Sequence, residues 1–310
     1  MTASWFDELP VIGKLAPQQA AAKLREMGEH TTADTLESTQ SEQPTRSTSF
    51  GGIKSLWPFQ DKPWQHTTHA FGYLAPSAPG STPQPIQHAG NIAPDPTLKN
   101  GRIKITLDRL RVASYPGGGI HRVLFDFYAQ NQVADNVEHL HFNSTYRVRE
   151  GEQAAIIGYP VFIGLNVGTE GVAFKCFTVN VQNDDDEAML DALDSDVFKA
   201  GLKLVDTLQP AIAPLSSMAF SLTKSIAARN RNVAVQDFYM GLDFGSLPMG
   251  ARLAQGAYLA VQIPEQLQTV WDWSEWVYNP NNGQVVNKNN PAQIIPYNYI
   301  VFSVGKYEGP

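Results

Sequence analysis

The sequence has one cysteine in 310 residues, and charged side chains make up only 17% of it. The lone thiol, Cys176 in GVAFKCFTV, cannot close an internal disulfide. A stapled secreted scaffold is therefore excluded, and a reducing compartment, the cytoplasm, is the expectation. Basic residues are outnumbered, with 23 Lys and Arg against 30 Asp and Glu and a net charge of −7. General nucleic-acid binding, which depends on cations neutralising phosphates, is not expected.

Long apolar runs are missing as well. No stretch approaches the roughly 18 apolar residues a membrane-spanning helix needs, so no transmembrane segment is expected. The opening MTASWFDELPVIGK carries an acidic pair and no basic region ahead of an apolar one, unlike a secretory signal. The strong catalytic signatures G-x-S-x-G, Walker A, G-x-G-x-x-G and H-E-x-x-H are all absent, and a protein that does no chemistry is the leaning.

What is present is apolar material, 43% of the chain, arranged at two different periods. Residues 17 to 27, PQQAAAKLREM, read as a helix with Pro17 in the first turn and Gly28 past its end. A weaker helix follows from Thr31 or Thr32. Residues 38 to 52 are Ser, Thr, Gln and Gly with little to bury, and read as a linker. Residues 55 to 74 then concentrate Leu56, Trp57, Phe59, Trp64, Phe71, Tyr73 and Leu74, an aromatic arm that docks on its own domain or on a partner. Six prolines between Ala75 and Thr97 predict an extended connector. The expected division is 1–45 as an N-terminal helical segment, 46–100 as arm and linker, and 101–310 as the folded body.

In that body the period is two. Ile103, Ile105 and Leu107, then Val123, Phe125 and Phe127, then Val172, Phe174 and Cys176 each share a strand face. Further strands are expected in AAIIGY with VFIGL, VAVQDFYMGLDF, GAYLAVQIP, TVWDWSEWVY and NYIVFSV, with NPNNG at 279 to 283 turning a hairpin. From 187 to 229 the period becomes helical, with the second helix starting near Pro214 and Lys224, Arg229 and Arg231 at its basic end. The architecture expected is a mainly β, antiparallel β-sandwich, C2-like or jelly-roll-like, carrying a helical insertion and an N-terminal arm.

Four constellations bear on chemistry. Asp184, Asp185, Asp186 and Glu187 have capping-box spacing and read as a helix start; as the alternative, they bind calcium together with Asp194 or Asp196 from beyond the turn. His139 and His141 share a strand face as a chelating pair would, the basis of a metal-dependent hydrolase reading, though the third ligand is missing and Arg147 and Arg149 lie on the same face. Trp271, Asp272, Trp273 and Glu275 have the composition of a glycan platform, and equally of a core or interface. Trp57, Phe59, Trp64, Phe71 and Tyr73 of the arm, with Met218 and Leu222 of the insertion helix, form the expected contact surface for a protein partner or a second copy of the chain. The basic end and apolar stripe of PLSSMAFSLTKSIAARN also suit contact with a membrane surface, but packing on the chain's own sandwich is the commoner use of such a helix. No cofactor beyond calcium is expected.

Overall fold

Alternation of large apolar and polar residues builds two sheets that face each other. The computed structural model describes residues 10–41, 62–76, 83–133, 136–154, 156, 158–194, 212–245 and 250–309. Five strands, β5 (Ile120–Val133), β6 (Asn136–Arg149), β8 (Gly171–Val181), β9 (Asn232–Asp243) and β10 (Ala251–Arg252), form one sheet in the order β10-β9-β8-β5-β6. Six form the other: β1 (Thr68–Leu74), β3 (Gln87–His88), β4 (Arg102–Arg111), β7 (Tyr159–Asn166), β11 (Gly256–Ile263) and β14 (Tyr299–Lys306), ordered β3-β1-β11-β14-β4-β7. All pairings in both are antiparallel except β9 with β10. The sandwich is as expected from the period.

Between the sheets lies an aromatic layer. Phe127 and Phe174 of the five-stranded sheet stack at 4.8 Å, and Phe302 of the six-stranded sheet meets Phe174 at 4.7 Å and Phe127 at 5.9 Å. Phe162 and Tyr258 close the ring of contacts on that side. Each of these side chains is fully buried, so the layer removes a large apolar area from water. Cys176 belongs to it, and burial raises its thiol pKa well above the ordinary range, as expected of a core thiol.

The outer faces need covers of their own. Leu124, Phe177, Val179, Val181 and Ala234 on the back of the five-stranded sheet pack under α3 (Glu187–Asp194) and α4 (Ile212–Ala228) through Leu190, Leu193, Ala219 and Ile226. Pro214 sits in the first turn of α4, where its missing N–H has no helical acceptor to lose. On the back of the six-stranded sheet, Leu259, Val261, Ile263 and Val301 pack under a small sheet of β2 (Gln84–Pro85), β12 (Trp276–Asn279) and β13 (Gln284–Asn287). The last two make the expected hairpin.

Three expectations need correction. The folded body does not begin near residue 101, because β1 runs inside the six-stranded sheet between β3 and β11. Nor is the N-terminal segment a separate unit. Ala20, Ala21, Leu24 and Met27 on and just past α1 (Pro17–Glu26), together with Ala33 and Leu36 of α2 (His30–Ser41), are buried in the main core with Ile12 and Trp64. Polar contacts fasten it further: Lys14 pairs with Asp237 at 3.1 Å, and Glu29 accepts from the Gly117 amide at 3.2 Å. A third correction concerns AAIIGY: only its last residue, Tyr159, belongs to a strand, as the first residue of β7, and residues 155 and 157 lie outside the described residues.

Buried amides stitch the layers where ladders end. Asn298 Oδ1 accepts from the Ala113 and Ser114 amides, and its Nδ2 donates to Gln262 Oε1 at 2.8 Å. Gln262 in turn donates to the carbonyls of His66 and Val235, so one chain of hydrogen bonds ties the arm to both sheets.

Phe302→Ala should cost about 3–5 kcal/mol, the range for deleting a buried aromatic with partial collapse. Urea unfolding would check this; a loss under about 1 kcal/mol would mean that the layer is not the core it looks like.

Candidate functional site

A β-bulge builds the first candidate. In the ladder between β14 and β4, Val301 pairs with Arg109 and the next residue, Phe302, pairs with Leu107, so Asp108 is the extra residue. Simple alternation would send Asp108 and Arg109 to opposite faces. The bulge turns both toward the outside of the sheet, and bulges are frequent where a strand must re-aim a side chain. Both then line a cleft of about 550 Å³ that opens where the β12–β13 cover stops. Its other walls include Tyr278, Pro280, Gln255, Ser303 and the aliphatic groups of Ala257 and Val301.

Asp108 accepts hydrogen bonds from Ser303 Oγ and, at 3.1 Å, from Thr106 Oγ1. Burial raises its pKa against these donors and against the Arg109 charge. Arg109 Nη1 donates to the Ile156 carbonyl at 2.6 Å, and its Nε lies against Gly283. No ion pair joins Asp108 to a cation among the described residues. This site escaped the sequence reading because a bulge leaves no trace in composition, and RLR inside a strand pattern looks like an ordinary solvent face.

The second candidate is the expected tryptophan platform. It is not a strand as far as Trp276: Asp272 caps a short 3-10 turn, Trp273–Glu275, by accepting from the Ser274 amide at 2.8 Å. The turn gathers the rings that alternation would have split. Trp271 lies parallel to Trp276 at 6.2 Å, edge-on to Trp273 at 5.5 Å and edge-on to Tyr297 at 5.8 Å. Trp273 packs over Gly72 of β1, where a Cβ would meet its ring at 3.0 Å. Trp273 and Trp276 are buried; Trp271 is only partly so, and together they line a cleft of about 440 Å³ with Asp272, His88, Asn91 and Lys288. Glu275 is exposed on the same turn but lines no part of that cleft. Val270, which precedes Trp271 in the chain, is 67% exposed.

A small enclosed space of about 120 Å³ adjoins this cleft through His88 and Trp271, and His69 lines it. His69 lies tilted against Phe238, with ring centroids 4.9 Å apart, and burial lowers its pKa to about 4.

The histidine pair is resolved differently from a metal site. His141 is buried and hydrogen-bonds through Nδ1 to Asp126 Oδ1 at 2.9 Å; Asn143 Nδ2 donates to Asp126 Oδ2 at 3.0 Å and to Thr223 Oγ1 of α4 at 2.7 Å. The polar strand face is thus real, but it lies under a helix and not in solvent. The side chain of His139 falls outside the described residues.

The acidic run starts a helix, with Asn183 rather than Asp184 as the capping side chain, accepting from the Asp185 amide at 3.0 Å. The turn Asp184–Asp186 leads into α3. Asp186 is fully buried and accepts from Arg229 and Asn232, each at 2.5 Å, which ties the start of α3 to the end of α4. Asp184 pairs with Arg122 at 2.6 Å, and Asp185 is exposed. Among the described residues, no group of three or more His, Cys, Asp or Glu is placed to hold a metal ion. Asp196 lies outside those residues, as does the side chain of Asp194.

The arm residues serve the chain itself. Trp64 is wholly buried, and Phe71 and Tyr73 pack against the main core from β1. Leu222 of α4 is partly buried and packs against the cluster on the back of the five-stranded sheet. Trp57 and Phe59 lie outside the described residues, and so does the side chain of Met218. No helix among the described residues is long and apolar enough to cross a membrane. No family model, curated protein or solved structure matches the chain.

The His69 geometry predicts acid lability. Its folded pKa, about 4, is below the unfolded value near 6.5, so its contribution is complete above pH 6.5 and is lost as pH falls toward 4. The loss is as much as about 3 kcal/mol. His69→Gln should flatten the decline of the urea midpoint between pH 7 and 4.5; an unchanged decline would assign it to other groups.

Proposed function

We propose that the chain is a non-catalytic interaction module that binds a protein partner or a second copy of itself. One observation carries the reading: Val270, at 67% exposure, immediately precedes Trp271, whose half-buried side chain lines a cleft. Protein interfaces concentrate their binding energy in aromatic anchors that a partner can desolvate, ringed by polar groups that exclude water. Trp271 is such an anchor, with Asp272, Asn91 and Lys288 on the rim. The contact surface in this reading is therefore the 270–276 turn rather than Trp64 and Tyr73, which are buried, and Phe71, which is partly buried against the main core. A cytoplasmic location belongs to the same reading and rests on the single, buried thiol.

A glycan is the second reading of the same cleft, favoured by the polar side chains that surround Trp271. The calcium and hydrolase readings have less support, since Asp184 and Asp186 are engaged by arginines and His141 is buried against Asp126.

Val270→Glu tests the choice without threatening the fold, because exposed substitutions of this kind change stability by no more than about 0.5 kcal/mol. Light scattering over a concentration series, joined to cross-linking, should give the wild-type chain a mass above its 34.1 kDa monomer or a stoichiometric partner. The variant should lose that association at least about tenfold, as expected when a charge enters a desolvated contact. Equal association by both proteins would remove this surface from consideration, and quenching of Trp fluorescence by oligosaccharides but not by protein would favour the glycan.

A further inference from the structure

The bulge at Asp108 does something the rest of the sheet does not: it presents a carboxylate and a guanidinium from consecutive residues to one cleft. Adjacent opposite charges ordinarily pair. Here each is held by other groups, Asp108 by the hydroxyls of Ser303 and Thr106 and Arg109 by the Ile156 carbonyl, so the two stand in the cleft as separate poles. The floor between them is aliphatic and shallow, made by Ala257 and Val301, and Tyr278 stands beside Arg109. A site with a small number of placed polar groups over an apolar floor is how small-molecule pockets fix orientation.

We propose that this cleft binds a small zwitterion of the free amino-acid class, with its ammonium group on Asp108 and its carboxylate on Arg109. Three features choose this class. A simple cation would face the Arg109 charge, and a simple anion would face Asp108; only a dipolar ligand satisfies both poles. A carboxylate has about four acceptor positions, and two hydroxyl donors leave Asp108 capacity for an ammonium. Burial without a cation partner is costly to Asp108, and a ligand ammonium would relieve that cost. The aliphatic floor suits an apolar side chain, which makes leucine a reasonable probe. The site shares no lining residue with the Trp271 cleft, so this inference does not rest on the interaction surface.

The test uses the full chain and three probes: L-leucine, Nα-acetyl-L-leucine, which lacks the ammonium, and L-leucinamide, which lacks the carboxylate. Leucine should bind saturably by NMR titration, and each blocked form should bind at least about tenfold more weakly. Asp108→Asn should lose roughly tenfold to a hundredfold, the usual result of removing one partner of a charged hydrogen bond. In the wild-type chain, saturating leucine should lower the midpoint of the Asp108 carboxyl carbon titration, a readout that needs no variant to fold. Val270→Glu should leave leucine binding unchanged. Absence of saturable leucine binding, equal binding by either blocked form, or an unmoved Asp108 midpoint would each overturn the proposal.

Discussion

The contact of Phe127 and Phe174 with Phe302 is the constraint from which the rest of the molecule follows. Two sheets that meet through stacked aromatic rings bury their inner faces completely, and each is left with an outer face that still carries Leu, Ile, Val and Phe. A sheet with apolar residues on both faces cannot be left half in water without losing about 25 cal/mol for every Å² exposed. Covers are therefore required, and the chain supplies two different ones: helices behind the five-stranded sheet and a small sheet with its tryptophans behind the six-stranded one. The N-terminal helices add a further flank through Ala20, Leu24 and Leu36.

Neither cleft is an independent feature grafted on this plan. Each opens where the cover over the six-stranded sheet ends, one on the Trp271 side and one on the Asp108 side. Their chemistry differs because their floors differ. Toward Trp271 the sheet offers Gly72, whose missing Cβ lets an indole lie on the backbone. Toward Asp108 a bulge replaces one apolar position by a charged pair. Part of each lining, Asp108, Arg109, Val301 and Ser303 in one cleft and Pro85, Trp276 and Val277 in the other, comes from strands, which hold binding groups more rigidly than loops do.

The legibility of all this in the sequence follows the range of the interaction concerned. Strands such as β4, β5, β8, β9, β11 and β14 were readable because their alternation is local, and α1 because Pro17 and Gly28 mark its ends. The start of α3 was readable too, although the cap shifted by one residue to Asn183. What failed was long-range. FGYL in the arm could not declare itself a sheet member, since its partner β11 is almost 190 residues away and the register is set by packing. Trp271 and Trp273 were assigned to a strand by composition, while the hydrogen bond from Ser274 to Asp272 makes a tight turn instead. Of the candidate residues, the tryptophan turn was legible as a cluster, and the Asp108 pair was not legible at all.

The buried polar groups explain why so aromatic a core adopts one arrangement. Aromatic layers tolerate sliding, because ring contacts are broad and weakly directional. Hydrogen bonds are not so tolerant. Asn298 must meet Ala113, Ser114 and Gln262 at once, and Asp126 must meet His141 and Asn143 while Asn143 also reaches Thr223 on α4. A slip of one residue in β5 or β14 would bury these groups without partners, at about 1–3 kcal/mol each. The first network locks the sheets to each other and to the arm; the second locks α4 onto the back of its sheet. Apolar burial makes the layers associate, and these few amides and carboxylates decide the register in which they do so. The register matters for binding as well, because a shift of β14 against β4 would move or erase the bulge that sets Asp108 and Arg109 side by side.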